Sequence, residues 1–579
     1  MVDELGLVGK LDALIPQDLG QRQVSLGVAV KGMILNGLGF AHRALYLTPH
    51  FFRDKPVGRL LGPGITAEHL NDDTLGRTLD AIHAFGVEAF YYLVASGVVG
   101  QLGLGGAGGH LDATSFHVDG DYNSGDEAAA EGVIHIRQGY SRDRRPDLNQ
   151  AVLQLLVESQ AGIPLLMVPL GGNANDQAGF RATVAAHVGQ LQADAGLRYL
   201  VADSALYTAE TLRELGGTVW ISRVPETLGA AREILLAVAG DLMQTEEESA
   251  CRAVGVVYAG IRQRWLVVFS REARQRAEKT LQRQHLRQGE AELKAFDTLC
   301  RHGFACEADA QAALDTFAKG LKLTAVAEGR VAAQTRHAKK GRPAKGQEPG
   351  VVSYAIQGQL ASRLDIHARQ LQQKSAFIIA TNDINESILS DEQVVEAYKK
   401  DQQKVERGFR FLKDPLFMAS TLFLKSPKRI MALMAVMTLC LMVYAALEHR
   451  IRQGLAEHRH TFPDQKGHLA ESPTAHWVFQ FFTGIHVLLL GQITEVVLNL
   501  LSTGQKPQQT EEVSPAVRQV EDNRADEVEA VAKKGFEGSL KSFLRGWGIH
   551  GHEAVRRCGE SRQKLRRAAP SFWRGEQRL

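Results

Sequence analysis

Hydrophobic and polar positions change texture several times along the chain. Up to about residue 101 they are mixed at helical spacing, most regularly from Asp72 to Ala84, and the turn Leu61-Gly62-Pro63-Gly64 punctuates them. This predicts a helical N-terminal domain over residues 1–101, and the pair Asp72-Asp73 is expected to cap one of its helices. From Leu102 a glycine cluster leads into His110–Val118, which alternates like a strand; further strands are expected at Val133–Ile136, Ile163–Leu170, Arg198–Ala202 and Thr218–Ser222. Helical spacing at Asp176–Leu191 and Ala209–Leu215 falls between the later ones. A three-strand meander followed by alternating helix and strand is the element order of a ribonuclease-H-like α/β fold, an order shared with other mixed sheets.

Between residues 224 and 375 the composition shifts. Two strands, Val254–Tyr258 and Trp265–Phe269, precede a long Arg/Glu/Gln-rich helix from Glu272 to Phe296, and strand-like text returns after Leu321, so an inserted α+β domain is expected there. Phe377–Thr381 reads as a strand returning to the main sheet, which makes 102–223 and 376–424 two parts of one domain. Ser390-Asp-Glu-Gln393 is a capping box, opening a helix that runs to about Leu412 before Pro415. Residues 425–501 are read as a helical C-terminal region and 502–579 as a polar, partly basic, poorly ordered tail.

The length of 579 residues requires several modules. The composition, 44% hydrophobic and 23% charged, is that of a folded chain. Lys plus Arg (67) nearly balance Asp plus Glu (65), so a polyanion would have to be met by local basic patches. Five scattered cysteines and no basic-then-apolar start favour a reducing, cytoplasmic setting.

Candidate chemistry rests on acids. Asp112 lies near the start of the first strand and Asp203 at the end of the fourth, strands that are neighbours in a ribonuclease-H-like sheet. In the helix after Ser390, Val394, Tyr398, Val405, Phe409 and Leu412 form the apolar stripe, with Glu406 on its border. Three carboxylates without His or Cys suit Mg²⁺ or Mn²⁺ better than Zn²⁺.

The stretches His110-Leu-Asp112-Ala-Thr-Ser, Gly139–Leu148, Leu200-Val-Ala-Asp203-Ser-Ala-Leu-Tyr207 and Tyr398–Pro415 resemble the DDE transposases of bacterial insertion sequences, in particular the insertion-sequence-four-like group. Leu47-Thr-Pro49 and Leu70–Gly76 extend the likeness towards the N-terminus, and the resemblance implies residues 1–101 as the domain that binds the element's end DNA. That group carries a Tyr, Arg, Glu, Lys signature, of which Glu406 and Lys413 fit; Gln402 stands in the Arg place, Lys399 in the Tyr place, and Tyr398 falls one residue early. The resemblance implies Asp112, Asp203 and Glu406 as catalytic metal ligands for two Mg²⁺ ions, with Mn²⁺ as a substitute. It implies Lys413, Arg407 and Tyr398 as contacts to DNA phosphates. Its further implications are cleavage at the terminal inverted repeats of a mobile element, strand transfer into target DNA, and a homodimer in the synaptic complex, acting at the nucleoid and not in a membrane. A catalytically inactive, DNA-binding or architectural derivative is the alternative.

Other features divide between two meanings. Lys339-Lys-Gly-Arg-Pro-Ala-Lys345 resembles a minor-groove hook, with Lys340 and Arg342 at its centre, or is a solvated basic loop. The cluster Gly103–Gly109 precedes a strand instead of joining a strand to a helix, which speaks against a dinucleotide loop. Cys300, His302, Cys306 and His285 lack a second paired zinc knuckle and read as ordinary residues. Asp119, Asp121 and Asp147 read as turn formers. Ile430–Leu447 reaches the minimum length of a membrane span but is read as a buried helix, and the arginines from Arg556 to Arg574 either hold phosphates or form a solvated end.

Overall fold

The computed structural model describes residues 1–498 except 18–19, 21, 39–44, 107, 119–121, 123–131, 141–144, 337–349, 414–423, 425, 483–484 and 491–492. The chain forms two compact units: residues 1–102, 160–164 and 410 onward make the first, and 103–159 with 165–409 make the second.

The first unit is helical. Helices Leu26–Leu38, Asp72–Phe85 and Val87–Leu102 pack with the 31-residue helix Pro427–Glu457, whose residues from Ile430 to Val443 are all buried, and Leu7–Leu14 packs on Leu26–Leu38 and Val87–Leu102. The uncharged run is therefore an internal helix of this unit, as its apolar circumference on every side requires. Arg429 at its start forms a two-pronged pair with Asp80, at 2.8 and 2.7 Å. A Cβ at Gly76 would sit 2.9 Å from that guanidinium, so the glycine admits it. The cap of helix Asp72–Phe85 is Asn71, whose side chain accepts from Thr74 N–H; Asp72 and Asp73 occupy the first turn, where the helix dipole favours negative charge. The expectation of a wholly helical region to residue 501 is also revised: after Glu457 come two short strands, the helix Ala475–Phe481 and a hairpin, Ile485–Leu490 with Ile493–Leu498.

The second unit is built on an eight-stranded mixed sheet. Its strands are β1 (Gly108–Val118), β2 (Asn149–Glu158), β3 (Pro164–Gly171), β4 (Tyr199–Ala202), β5 (Val219–Arg223), β6 (Ser249–Tyr258) and β7 (Ile261–Ser270). A separate hairpin contributes β8 (Thr324–Arg336) and β9 (Gly350–Ser362), and β10 (Ala376–Thr381) completes the set. The sheet order is β3-β2-β1-β4-β5-β10-β7-β6. β1 is antiparallel to β2 and parallel to β4, and β4 is parallel to β5. The expected neighbourhood of the first and fourth predicted strands is thus present.

Two expectations change. Val133–Ile136 is not a strand; its apolar side chains are buried without a ladder, and the partner of β1 is Asn149–Glu158. The polar Gln150 and Gln154 interrupt that run in sequence, yet both are buried: Gln150 Nε2 donates to Gly172 O at 2.7 Å, and Gln154 Oε1 accepts from Thr183 at 2.7 Å. Secondly, β6 and β7, read as part of the insertion, belong to the main sheet, because β7 pairs with β10 from Ala376↔Phe269 to Thr381↔Arg264. Between β7 and β10 lie the helices Arg271–Arg301 and Glu307–Gly320, the β8–β9 hairpin and the helix Leu364–Ser375. Phe296, Ala310, Leu314 and Ile356 form a small core of their own there. Lys340 and Arg342 fall between β8 and β9, outside the described residues, as do Asp119, Asp121 and the tail.

Candidate active site at the sheet's carboxylate edge

The glycine cluster makes the entry into β1 possible. A Cβ at Gly108 would lie 2.0 Å from the ring of Tyr199 on β4, and one at Gly109 2.8 Å from Leu197, so only glycine lets the two strands close. With that register set, Leu111 pairs with Ala202, and one step on Asp112 stands beside Asp203. Likewise Ala202 pairs with Ser222, which puts Arg223 beside Asp203. Asp112, Asp203 and Arg223 therefore form a row across three parallel strands.

The face of this row follows from the alternation of side chains. Val201 and Ile221, two residues before Asp203 and Arg223, share a core cluster with Val394, Ala397 and Tyr398. Helix Asp391–Leu412 lies on that face, and its predicted stripe of Val394, Tyr398, Val405, Phe409 and Leu412 is buried in full. Glu406 is exposed, as expected at the border of the stripe, and so is Arg407. Lys413 occupies the turn just past the helix.

The start of this helix is fixed with care. Ser390 N–H donates to Gln393 Oε1 at 2.9 Å and Gln393 N–H to Ser390 Oγ at 3.3 Å, closing the capping box. The preceding loop wraps around Asp383, whose carboxylate accepts from Ser387, Ile388 and Leu389 N–H groups and from the Ser387 hydroxyl. Burial works against that charge, but these hydrogen bonds outweigh it and hold the carboxyl below its usual range. Arg264 on β7, also buried, donates to Leu389 O at 2.8 Å and pairs with Asp391 at 3.2 Å. Further along, Lys404 Nζ donates to Ser159 O at the end of β2.

Asp112 and Asp203 are half-buried. Asp112 Oδ1 accepts from Ala113 N–H at 2.7 Å, and Asp203 Oδ1 from Ala205 N–H at 2.9 Å. Ser222 Oγ donates to the Asp203 carbonyl at 2.8 Å, tying the loop after β4 to β5. Glu406 accepts from Gln402 at 3.1 Å, so the residue in the signature's Arg place touches the acid.

Tyr398 connects them. It is buried, and its hydroxyl is pushed up to about 12, first by burial; Arg223 opposes the shift while Asp203, Asp112 and Glu406 add to it. One phenol thus feels all three acids and the arginine. Its ring is buried in the cluster with Val201, Ile221 and Ile379. Arg223, which the sequence reading passed over, stacks over Phe377 at 5.4 Å and pairs with Glu226 at 2.8 Å. Its position after the strand text Val-Trp-Ile-Ser, one register step from Asp203, is the only signal the sequence offered.

As donors the acids fit a hard divalent cation, being carboxylate oxygens on half-buried or exposed side chains. Their side chains are turned to backbone amides and to Gln402, and among the described residues no three acid, imidazole or thiol groups stand at ligand spacing. Elsewhere, Asp147 pairs with Arg145, His285 Nε2 lies 2.7 Å from Gln370, and Cys306 Sγ caps helix Glu307–Gly320, which gives each of these residues a structural place.

Comparison with known families gives two matches. Residues 1–96 match a domain of unknown function (DUF4277), and residues 106–443, more than half of the chain, match the transposase DDE domain. No curated protein matches. Among solved structures, a cryo-EM structure of the piggyBac transposase synaptic complex with hairpin DNA aligns at 10% identity and a TM-score of 0.32, over 80% of this chain and 75% of that one.

Proposed function

Because the chain belongs to the DDE transposases, we propose that it cuts DNA at the ends of a mobile element and joins them to target DNA, with Asp112, Asp203 and Glu406 as its catalytic acids. The observation that supports this reading is the strand register that sets Asp112 beside Asp203 in the sheet whose face is covered by the helix bearing Glu406. We read the sheet as ribonuclease-H-like, residues 271–375 as its inserted domain, and the chain as insertion-sequence-four-like, working as a homodimer on two ends.

In this mechanism Asp112, Asp203 and Glu406 would together hold two Mg²⁺ or Mn²⁺ ions, Asp112 standing at the end of the row beside Asp203. Such ions, when bound, polarise the phosphodiester and make a water or 3′-hydroxyl a better nucleophile. The chain's own work is positioning. Arg264 and Asp383 set the angle at which the Glu406 helix leaves the sheet, and the Ser222 bond holds the Asp203 loop. Arg223, Arg407 and Lys413 supply positive charge to DNA phosphates. Lys340 and Arg342 between β8 and β9 are the candidates for a minor-groove contact.

The test is cleavage of a plasmid bearing the element's flanking repeats, with Mg²⁺, Mn²⁺ or chelator. End-specific cutting is expected to need the metal and to vanish in Asp112→Ala, Asp203→Ala and Glu406→Ala alike. A wild type that binds the ends but never cuts identifies the chain as a DNA-binding derivative that has lost catalysis.

A further inference from the structure

Helix Arg271–Arg301 spans 31 residues, and its buried positions Ala277, Leu281, Glu292 and Phe296 define one face. His285, which meets Gln370 and the ring of His367, lies on the same face and turns it towards helix Leu364–Ser375. At 100° per residue, Arg276, Lys279, Arg283 and Arg287 fall within an arc of about 80° on the opposite side. All four are exposed. Between Arg276 and Arg287 the single acid, Glu278, projects well away from this arc, towards the edge of the packed face. Of the acids that share the arc, Glu272 and Glu290 stand at the two ends of this stretch, and among the described residues only Arg276 of the four makes an ion pair, at 3.7 Å to Glu272.

Three consecutive pairs at i,i+3 or i,i+4 are therefore like-charged, an arrangement that destabilises an isolated helix. Beyond Glu290 the same side returns to alternation, with Lys294, Asp297 and Arg301. The uncompensated stretch is three turns long and carries one positive charge every 4–6 Å or so. That density and straightness complement a DNA strand, which bears a phosphate about every 3.4 Å of its axis.

We propose that Arg276, Lys279, Arg283 and Arg287 form a track for the phosphate backbone of duplex DNA, separate from the acids around Tyr398. The track rests on the reading of the chain as a transposase for the identity of its polyanion. It contacts phosphates and no base edges, so it strengthens binding to any sequence and fixes where the duplex runs.

The experiment is a salt titration of duplex binding by fluorescence anisotropy, using a duplex of the element's end and a scrambled duplex of equal length. The full chain is compared with the variant Arg276→Gln/Lys279→Gln/Arg283→Gln/Arg287→Gln and with a charge-keeping variant, Arg276→Lys/Arg283→Lys/Arg287→Lys. Each neutralised phosphate contributes about 0.9 to the slope of log K against log salt. The glutamine variant should lose about 3.6 from that slope on both duplexes, while the lysine variant keeps it. An unchanged slope in a glutamine variant with wild-type circular dichroism overturns the track and leaves the transposase reading standing. A wild type that binds neither duplex overturns both.

Discussion

His110 stands two residues before the first acid of the site and is buried, with Nδ1 unpartnered. Burial lowers its pKa from 6.5 to about 3, so the folded protein keeps the ring neutral through the mildly acidic range. The sign follows from linkage: above pH 6.5 neither state binds the proton, and between 6.5 and about 3 only the unfolded chain does, so stability falls as pH falls. The loss attributable to this one ring is on the order of a few kcal/mol. His110→Leu should flatten the acid limb of a denaturant-unfolding series between pH 7 and 4, leaving the neutral end to report packing alone. An unaltered limb would show that the ring is not excluded from water.

At the scale of elements, the helix bearing Glu406 was legible because its signals are local. The Ser390–Gln393 box, the stripe from Val394 to Leu412 and the acid at its edge all lie within about six turns of one helix. Ser390→Ala should cost about 1 kcal/mol, read as a shift of the denaturant midpoint, and should leave Glu406 in place once folded. What was not legible depends on partners far along the chain. Arg264 precedes Leu389 and Asp391 by more than a hundred residues, and nothing in Gln263-Arg264-Trp265 announces a buried guanidinium. β6 and β7 looked like part of an insertion because the strand that recruits them, β10, is written after it. The strand Asn149–Glu158 was hidden by two glutamines whose amides find buried partners, a satisfaction that polarity alone does not reveal. The adjacency of the strands that carry Asp112 and Asp203 was legible from their order, whereas Arg223 emerges only from strand register.

For the whole molecule, the helical unit depends on Pro427–Glu457 as its internal post. Leu439 is fully buried in that helix, and Leu439→Ala should cost about 2–5 kcal/mol. Calorimetry of the variant should show the loss in one unfolding transition, with the transition of the sheet unit unmoved; a uniform shift of all transitions would mean that the two units unfold as one.

The strand order has a consequence in time. β10 lies in the sheet between β5 and β7, yet it is synthesised after both and after the whole stretch from Arg271 to Ser375. While a ribosome is still reading that stretch, the nascent chain has Asp112 and Asp203 in hand and a gap between β5 and β7. Glu406 comes later still, because the helix that bears it follows β10 across residues 382–390. The sheet is thus closed like an arch, whose keystone is the last stone cut, and a fragment that stops short of β10 lacks both that strand and Glu406.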